Sequence, residues 1–90
     1  MTRMNDLIEV LLDKSSSLSE RDDAAMDLSE FDDALDILIK VASDASEAEI
    51  IQEICATSIA TIWKRCGVYE EDIVNALPMA AASEIKAAFS

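Results

Sequence analysis

The sequence predicts an all-α protein, five to six short antiparallel helices stacked in a single domain spanning residues 1–90, and three observations carry that prediction. The ninety residues include one Gly and one Pro and are rich in Ala, Leu, Ile, Glu and Asp, a composition that favours helices joined by short connections. Apolar residues recur at helical spacing, as in Ala24, Ala25, Leu28 and Phe31, where i, i+1, i+4 and i+7 share one side of a helix. A faint internal repeat completes the pattern. Moving Arg21-x-x-Ala24-Ala25-x-x-Leu28-x-x-Phe31 forward by 31 residues lands on Gln52-x-x-Cys55-Ala56-x-x-Ile59-x-x-Ile62. Small residues beside large ones in both copies suit inner helices that approach closely, and short-loop repeats of this kind predict a small helical solenoid.

The first helix is expected from Thr2 or Asn5 to Lys14, with Met4, Leu7, Ile8, Leu11 and Leu12 inward and Asp6, Glu9 and Asp13 outward. Ser15, Ser16 and Ser17 end it, because serine side chains compete for backbone groups. A second helix should start at Ser19 as N-cap, with Glu20, Asp22 and Asp23 in its positive first turn and Leu18 stapling the entry. Phe31 and Asp32 then turn the chain, and Asp32 or Asp33 caps a third helix that runs to Ser43 and turns Ala34, Leu35, Leu38, Ile39 and Ala42 inward. Ser46 and Glu49 form an S-x-x-E capping box ahead of the longest helix, Glu47 to Arg65 or Cys66. Its Ile50, Ile51, Ile54, Cys55, Ser58, Ile59, Ile62 and Trp63 make a broad apolar face, as a central helix requires. Lys64 and Arg65 suit its negative end, and Gly67 supplies the left-handed residue beyond it. A short helix follows from Glu70 to Ala76. Leu77-Pro78 opens the last one, Met79 to Phe89, with Pro at the first helical position and Ala82, Ile85 and Phe89 closing the core.

Composition narrows the function. A chain this size hides roughly 60–70% of the surface its unfolded form exposes, so the helices need one another and no half should fold alone. At 51% hydrophobic residues and a net charge of −12 it reads as a folded acidic domain rather than a disordered tail. The charge argues against nucleic acid and against anionic membranes as direct ligands, and it favours a basic partner drawn in over long range. Cys55 and Cys66 fall on one helix about 16 Å apart along its axis, beyond the reach of a disulfide. They read as buried or half-buried thiols of a reducing compartment. The N-terminal stretch has acids inside its apolar run and no small-residue cleavage site, and no run is long enough to span a bilayer. A cytoplasmic protein is expected.

The acids are clustered. Between Glu20 and Asp36 stand eight acids and one base, Arg21. Glu20, Asp23, Asp27 and Glu30 lie opposite the apolar stripe of their helix, and Asp32, Asp33 and Asp36 extend the row onto the next. A hard cation needs several converging oxygens, which one straight helix face does not supply, and zinc loses its usual ligands in a chain without His. No metal or cofactor is expected. Neither cysteine has a histidine base and the serines concentrate in turns, so no catalytic residue is expected and the chain reads as a binding module. The acidic row is then either a solvated face or a protein contact, and its clustering favours the contact. The partner-binding candidates are Asp23, Asp27, Glu30, Asp32, Asp33 and Asp36, with Tyr69, Glu70, Glu71 and Asp72 as a second patch. Tyr69, just past a helix stop, is the surface aromatic, a type common at interface hot spots; Trp63 belongs to the core. Arg21 should tie Asp22 or an acid of a neighbouring helix.

The pattern R-x-x-A-A-x-x-L-x-x-F, followed by ALDILIKVASD and a capped second helix, resembles HEAT-type repeats. The longer wording ERDDAAMDLSEFDDALDILIKVASD…EICATSIATIWKR is similar to the small HEAT-like immunity proteins of bacterial toxin systems, including contact-dependent growth inhibition. The resemblance covers about residues 18–66 and implies a HEAT-like core with capping helices at either side. It also implies a cognate toxin as the partner, and the chain's acidity makes a basic domain, such as a nuclease, the expected kind. Toxin-contacting residues vary between pairs in that family, so none is carried over. The competing function is a HEAT-like scaffold or adaptor that holds an unrelated cellular protein.

Overall fold

Helices form where the apolar stripes place them. In the computed structural model, which describes residues 2–90, the chain runs α1 (Arg3–Leu12), α2 (Leu18–Asp27), two 3-10 turns at Leu28–Glu30 and Asp32–Ala34, α3 (Leu35–Ala42), α4 (Glu49–Cys66), α5 (Glu71–Ala76) and α6 (Met79–Ala88). No strand occurs among the described residues. The chain pairs α1 with α2, α3 with α4 and α5 with α6, and the second helices of these hairpins pack in series, α2 on α4 and α4 on α6. The molecule measures 33 × 26 × 17 Å, and its thin dimension is that of two helix layers set 8–10 Å apart. Helix α4 is central and buries Ile51, Gln52, Cys55, Ala56, Ser58, Ile59, Ala60, Ile62 and Trp63.

The repeat legible in the sequence is also a repeat of structure. The helices α2, α4 and α6 have N-cap residues Ser17, Ala48 and Pro78, spaced 31 and then 30 residues, all extended at φ/ψ of −65/155, −58/139 and −55/153°. Ahead of the first two stand identical turns. In each the Asp Oδ1, of Asp13 or Asp44, accepts from the N–H of Ser15 or Ser46 at 2.9 Å and from its hydroxyl at 2.6 Å. The small residues Ala24, Ala25, Cys55 and Ala56 are all buried, and the Ser58 hydroxyl donates to the Ala25 carbonyl at 2.7 Å, which locks α4 against α2.

The repeat's one polar position has a structural purpose in both copies. Arg21 Nε donates to the Leu11 carbonyl at 2.9 Å, and its two terminal nitrogens donate to the Glu47 carboxylate at 3.0 and 2.7 Å. Gln52 Nε2 donates to the carbonyls of Asp44 at 2.8 Å and Glu47 at 3.3 Å. Arg21 thus satisfies a carbonyl in the last turn of α1 that the helix leaves without a partner, and Gln52 satisfies two carbonyls of the connection between α3 and α4. The Arg21 and Glu47 side chains are 4% and 7% exposed, so this ion pair is interior. No buried polar side-chain atom among the described residues lacks a partner.

The connections differ from expectation in detail. Ser17, not Ser19, caps α2: its hydroxyl accepts from the Glu20 N–H at 3.1 Å while the Glu20 carboxylate accepts from the Ser17 N–H at 3.3 Å. Leu18 therefore starts the helix and is exposed instead of stapling it. The Ser46–Glu49 box does not form, because Ser46 is engaged by Asp44 and Ala48 is the N-cap. Neither Asp32 nor Asp33 caps α3, since a 3-10 turn intervenes. Helix α1 ends at Leu12, where Asp13 turns extended and binds the serines that follow. Leu12 and Ile50, expected inward, are 49% and 50% exposed. Cys66, expected at least half-buried, is exposed. Pro78 takes the N-cap of α6 rather than its first position. Gly67 behaves as expected: at φ 71° it lets its own N–H reach the Lys64 carbonyl at 3.4 Å and the Val68 N–H reach Trp63 at 2.8 Å, a Schellman closure.

Candidate functional site

The register of α2 decides which acids reach the surface. With Ala24, Ala25 and Leu28 buried, Asp23, Asp27 and Glu30 face out. At Phe31 the backbone is extended (φ −118°, ψ 111°) between the two 3-10 turns, which presents Asp32 and Asp33. Helix α3 turns Leu38, Val41 and Ala42 inward and leaves Asp36 outside. All six acids are exposed. They form one acidic edge running from α2 through the turns to α3.

Not all six are free. Arg3, reaching from α1, donates to Glu30 at 2.8 Å, lies 3.7 Å from Asp27 and sets its guanidinium 5.6 Å from the centre of the Phe31 ring. Arg65, from the last turn of α4, donates to Asp32 through Nε at 3.2 Å and Nη2 at 2.5 Å. Asp23, Asp33 and Asp36 make no ion pair among the described residues. Both arginines come from outside the acidic stretch, 27 and 33 residues away, and the one base within it, Arg21, points into the interior. These surface pairs are half exposed, where solvent screening leaves an ion pair worth little.

The edge encloses a shallow groove of about 390 Å³ lined by Met4, Glu30, Phe31, Asp32, Asp33 and Arg65. Two apolar side chains therefore lie among three carboxylates and one guanidinium. A smaller depression of about 150 Å³ between α1 and α3 mixes Leu12, Ile37 and Val41 with Lys14, Lys40, Asp44 and Glu47 and has no single sign of charge.

The second predicted patch lies on another hairpin. Tyr69, Glu70, Glu71 and Asp72 are exposed, and α5 packs chiefly on α6, away from the α2–α3 turns in the order of packing. Tyr69 is 42% exposed yet held edge-on between Trp63, at 5.9 Å, and Phe89, at 5.0 Å. Trp63 itself is core, 1% exposed.

The buried thiol is a poor candidate for chemistry. Desolvation, above all, pushes the buried Cys55 thiol up to about 12, so it stays protonated at neutral pH. Among the described residues no group of three or more His, Cys, Asp or Glu side chains is placed to hold a metal ion, and no helix is long and apolar enough to cross a membrane. No protein-family model, curated protein or solved structure matches the chain.

Proposed function

We propose that the chain is a HEAT-like immunity protein of the cytoplasm that binds and neutralises a basic toxin domain, a nuclease domain in particular, through the acidic edge of α2, the 3-10 turns and α3. In this reading it is a stoichiometric inhibitor and catalyses nothing. One observation carries the proposal: exposed carboxylates gather around a groove that also offers an aromatic ring, on a scaffold whose helices are tied together from within. A nuclease must hold phosphates and therefore presents a basic surface. An acidic edge is attracted to that surface over long range and speeds the encounter. Once docked, it occupies the place of the nucleic acid. Because the edge is built on helices fixed by the Arg21 and Gln52 ties, little ordering entropy opposes binding.

The proposal is tested in cells and then in vitro. The gene immediately upstream should encode a larger protein with a basic C-terminal domain. Expression of that domain alone should arrest growth, co-expression with this chain should restore it, and the two proteins should co-elute as a complex. Growth arrest that this chain does not relieve would sink the immunity reading. The two-layer repeat also fits a scaffold that holds an unrelated cellular protein, and that reading predicts no toxin gene alongside.

A further inference from the structure

Resting on that reading, we propose that the groove at Phe31 anchors an arginine of the basic partner, and that this arginine takes the place Arg3 holds in the free protein. The chemistry of recognition is already displayed by Arg3. One guanidinium sits 5.6 Å from the Phe31 ring centre while donating to Glu30 and lying near Asp27. That combination of ring face and paired carboxylates suits arginine better than lysine. The guanidinium is planar, stacks on aromatic rings and donates in a fork, whereas an ammonium is a compact, strongly hydrated point charge.

Arg3 is also replaceable. Its side chain is 57% exposed, so displacing it exchanges one screened pair for another. The groove is also lined by Asp32, already paired with Arg65, and by Asp33, which makes no ion pair among the described residues. An incoming guanidinium set on Phe31 and Glu30 in Arg3's place thus lies along a groove that also holds a carboxylate no internal cation pairs with. The groove, about 390 Å³, is at the small end of the ~300–1,000 Å³ usual for ligand sites. It suits a side chain or a short basic segment rather than a helix. The apolar cluster of Tyr69 and Phe89 carries no comparable indication of what would cover it.

The test uses the full chain with hexa-arginine and hexa-lysine peptides, titrated by calorimetry and mapped by amide chemical shifts. Hexa-arginine should bind about 3-fold or more tightly than hexa-lysine, as an exposed cation–π contact provides, with shifts centred on Met4 and residues 30–33. Replacing Phe31→Leu should remove the preference for arginine. Arg3→Ala, an exposed change that leaves the fold intact, should tighten hexa-arginine binding by removing the internal competitor. Equal affinity for the two peptides, shifts centred on Glu70–Asp72, or weaker hexa-arginine binding by Arg3→Ala would each overturn the proposal. The two readings fail separately. Arginine selectivity at the groove without protection from the toxin would refute the immunity function alone, and protection without selectivity would refute the groove alone.

Discussion

Arg21 and Arg3 perform the same chemistry in two regions of the molecule. Each joins separate elements by setting a guanidinium on a carboxylate. Arg21 does so at 4% exposure, between α2, the end of α1 and the connection into α4; Arg3 does so at 57% exposure, on the acidic edge. Burial makes the difference. An interior pair whose partner is removed leaves a charge that water cannot reach, whereas a surface pair that opens is resolvated at once. The interior region therefore holds the shape, and the ion pairs of the edge can open at little cost.

The largest effect comes from putting a charge where the interior has none. Ile59 is fully buried on α4, and Ile59→Asp should abolish the cooperative thermal transition seen by circular dichroism, since an unpaired buried carboxylate costs more than a small domain can spare. A variant that melts like the parent would show that the inward face is misassigned. Removing one side of the buried pair is the next step down. Arg21→Ala should lower unfolding free energy by about 3–5 kcal/mol, against less than about 1 kcal/mol for Arg3→Ala, both by urea denaturation. Equal losses would erase the distinction between the two regions.

Acid separates the two regions without that kind of truncation. The Glu47 carboxyl is held below its usual range, first by the hydrogen bond from Arg21, and Asp13 and Asp44 are held down by their serines. A depressed folded-state pKa gives stability that is complete above the unfolded value, about 4.3 for Glu, and is lost as pH falls through the folded value. Protonating the exposed acids relieves their mutual repulsion and acts in the opposite sense. The comparison with Glu47→Gln isolates the buried pair: the variant should be less stable at neutral pH, and the gap should close as pH falls below the carboxylate range. A gap independent of pH would mean that the charge of Glu47 is not what stabilises the fold.

Much of this contrast was legible in the sequence, and the part that was not has a common cause. Helix order and the central α4 follow from helical periodicity and the Gly67 stop from residue type, both local signals, and the repeat shows when the sequence is set against itself at 31 residues. For Arg21 the sequence leaves two partners open, Asp22 or a more distant acid, and does not reveal that the pair formed with Glu47 is buried. The capping of α2 was misplaced because Ser17 and Ser19 each precede an acidic stretch, and only Ser17 has Glu three residues on to close the box. Ser46 and either Asp32 or Asp33 have side chains of the type that caps helices, but Asp44 engages Ser46 and a 3-10 turn stands between both aspartates and the start of α3. On the acidic edge, the identity of the exposed carboxylates was legible from helix register. Their neutralisation by Arg3 and Arg65 was not, since such pairs depend on how distant segments pack.

The smallest effects on stability are expected at the edge itself, where the effects on binding should be large. Asp27→Lys with Glu30→Lys leaves Arg3 without its carboxylates, so it should cost no more than about 1 kcal/mol in stability while weakening binding of the proposed toxin about 10-fold or more. A loss of several kcal/mol in stability would make these two residues part of the structural region instead.

The most direct measurement is calorimetric titration of the basic toxin domain proposed to be encoded upstream with Asp33→Lys/Asp36→Lys, two changes that disturb no internal ion pair, alongside Asp6→Lys/Glu9→Lys on α1 as a control of equal charge. Binding through the acidic edge predicts that the first variant loses about 10-fold or more in affinity at an unchanged melting temperature, while the control stays within about 2-fold of the parent. Equal losses from both variants, or a loss confined to the control, would show that acidity acts only as net charge or that the interface lies elsewhere.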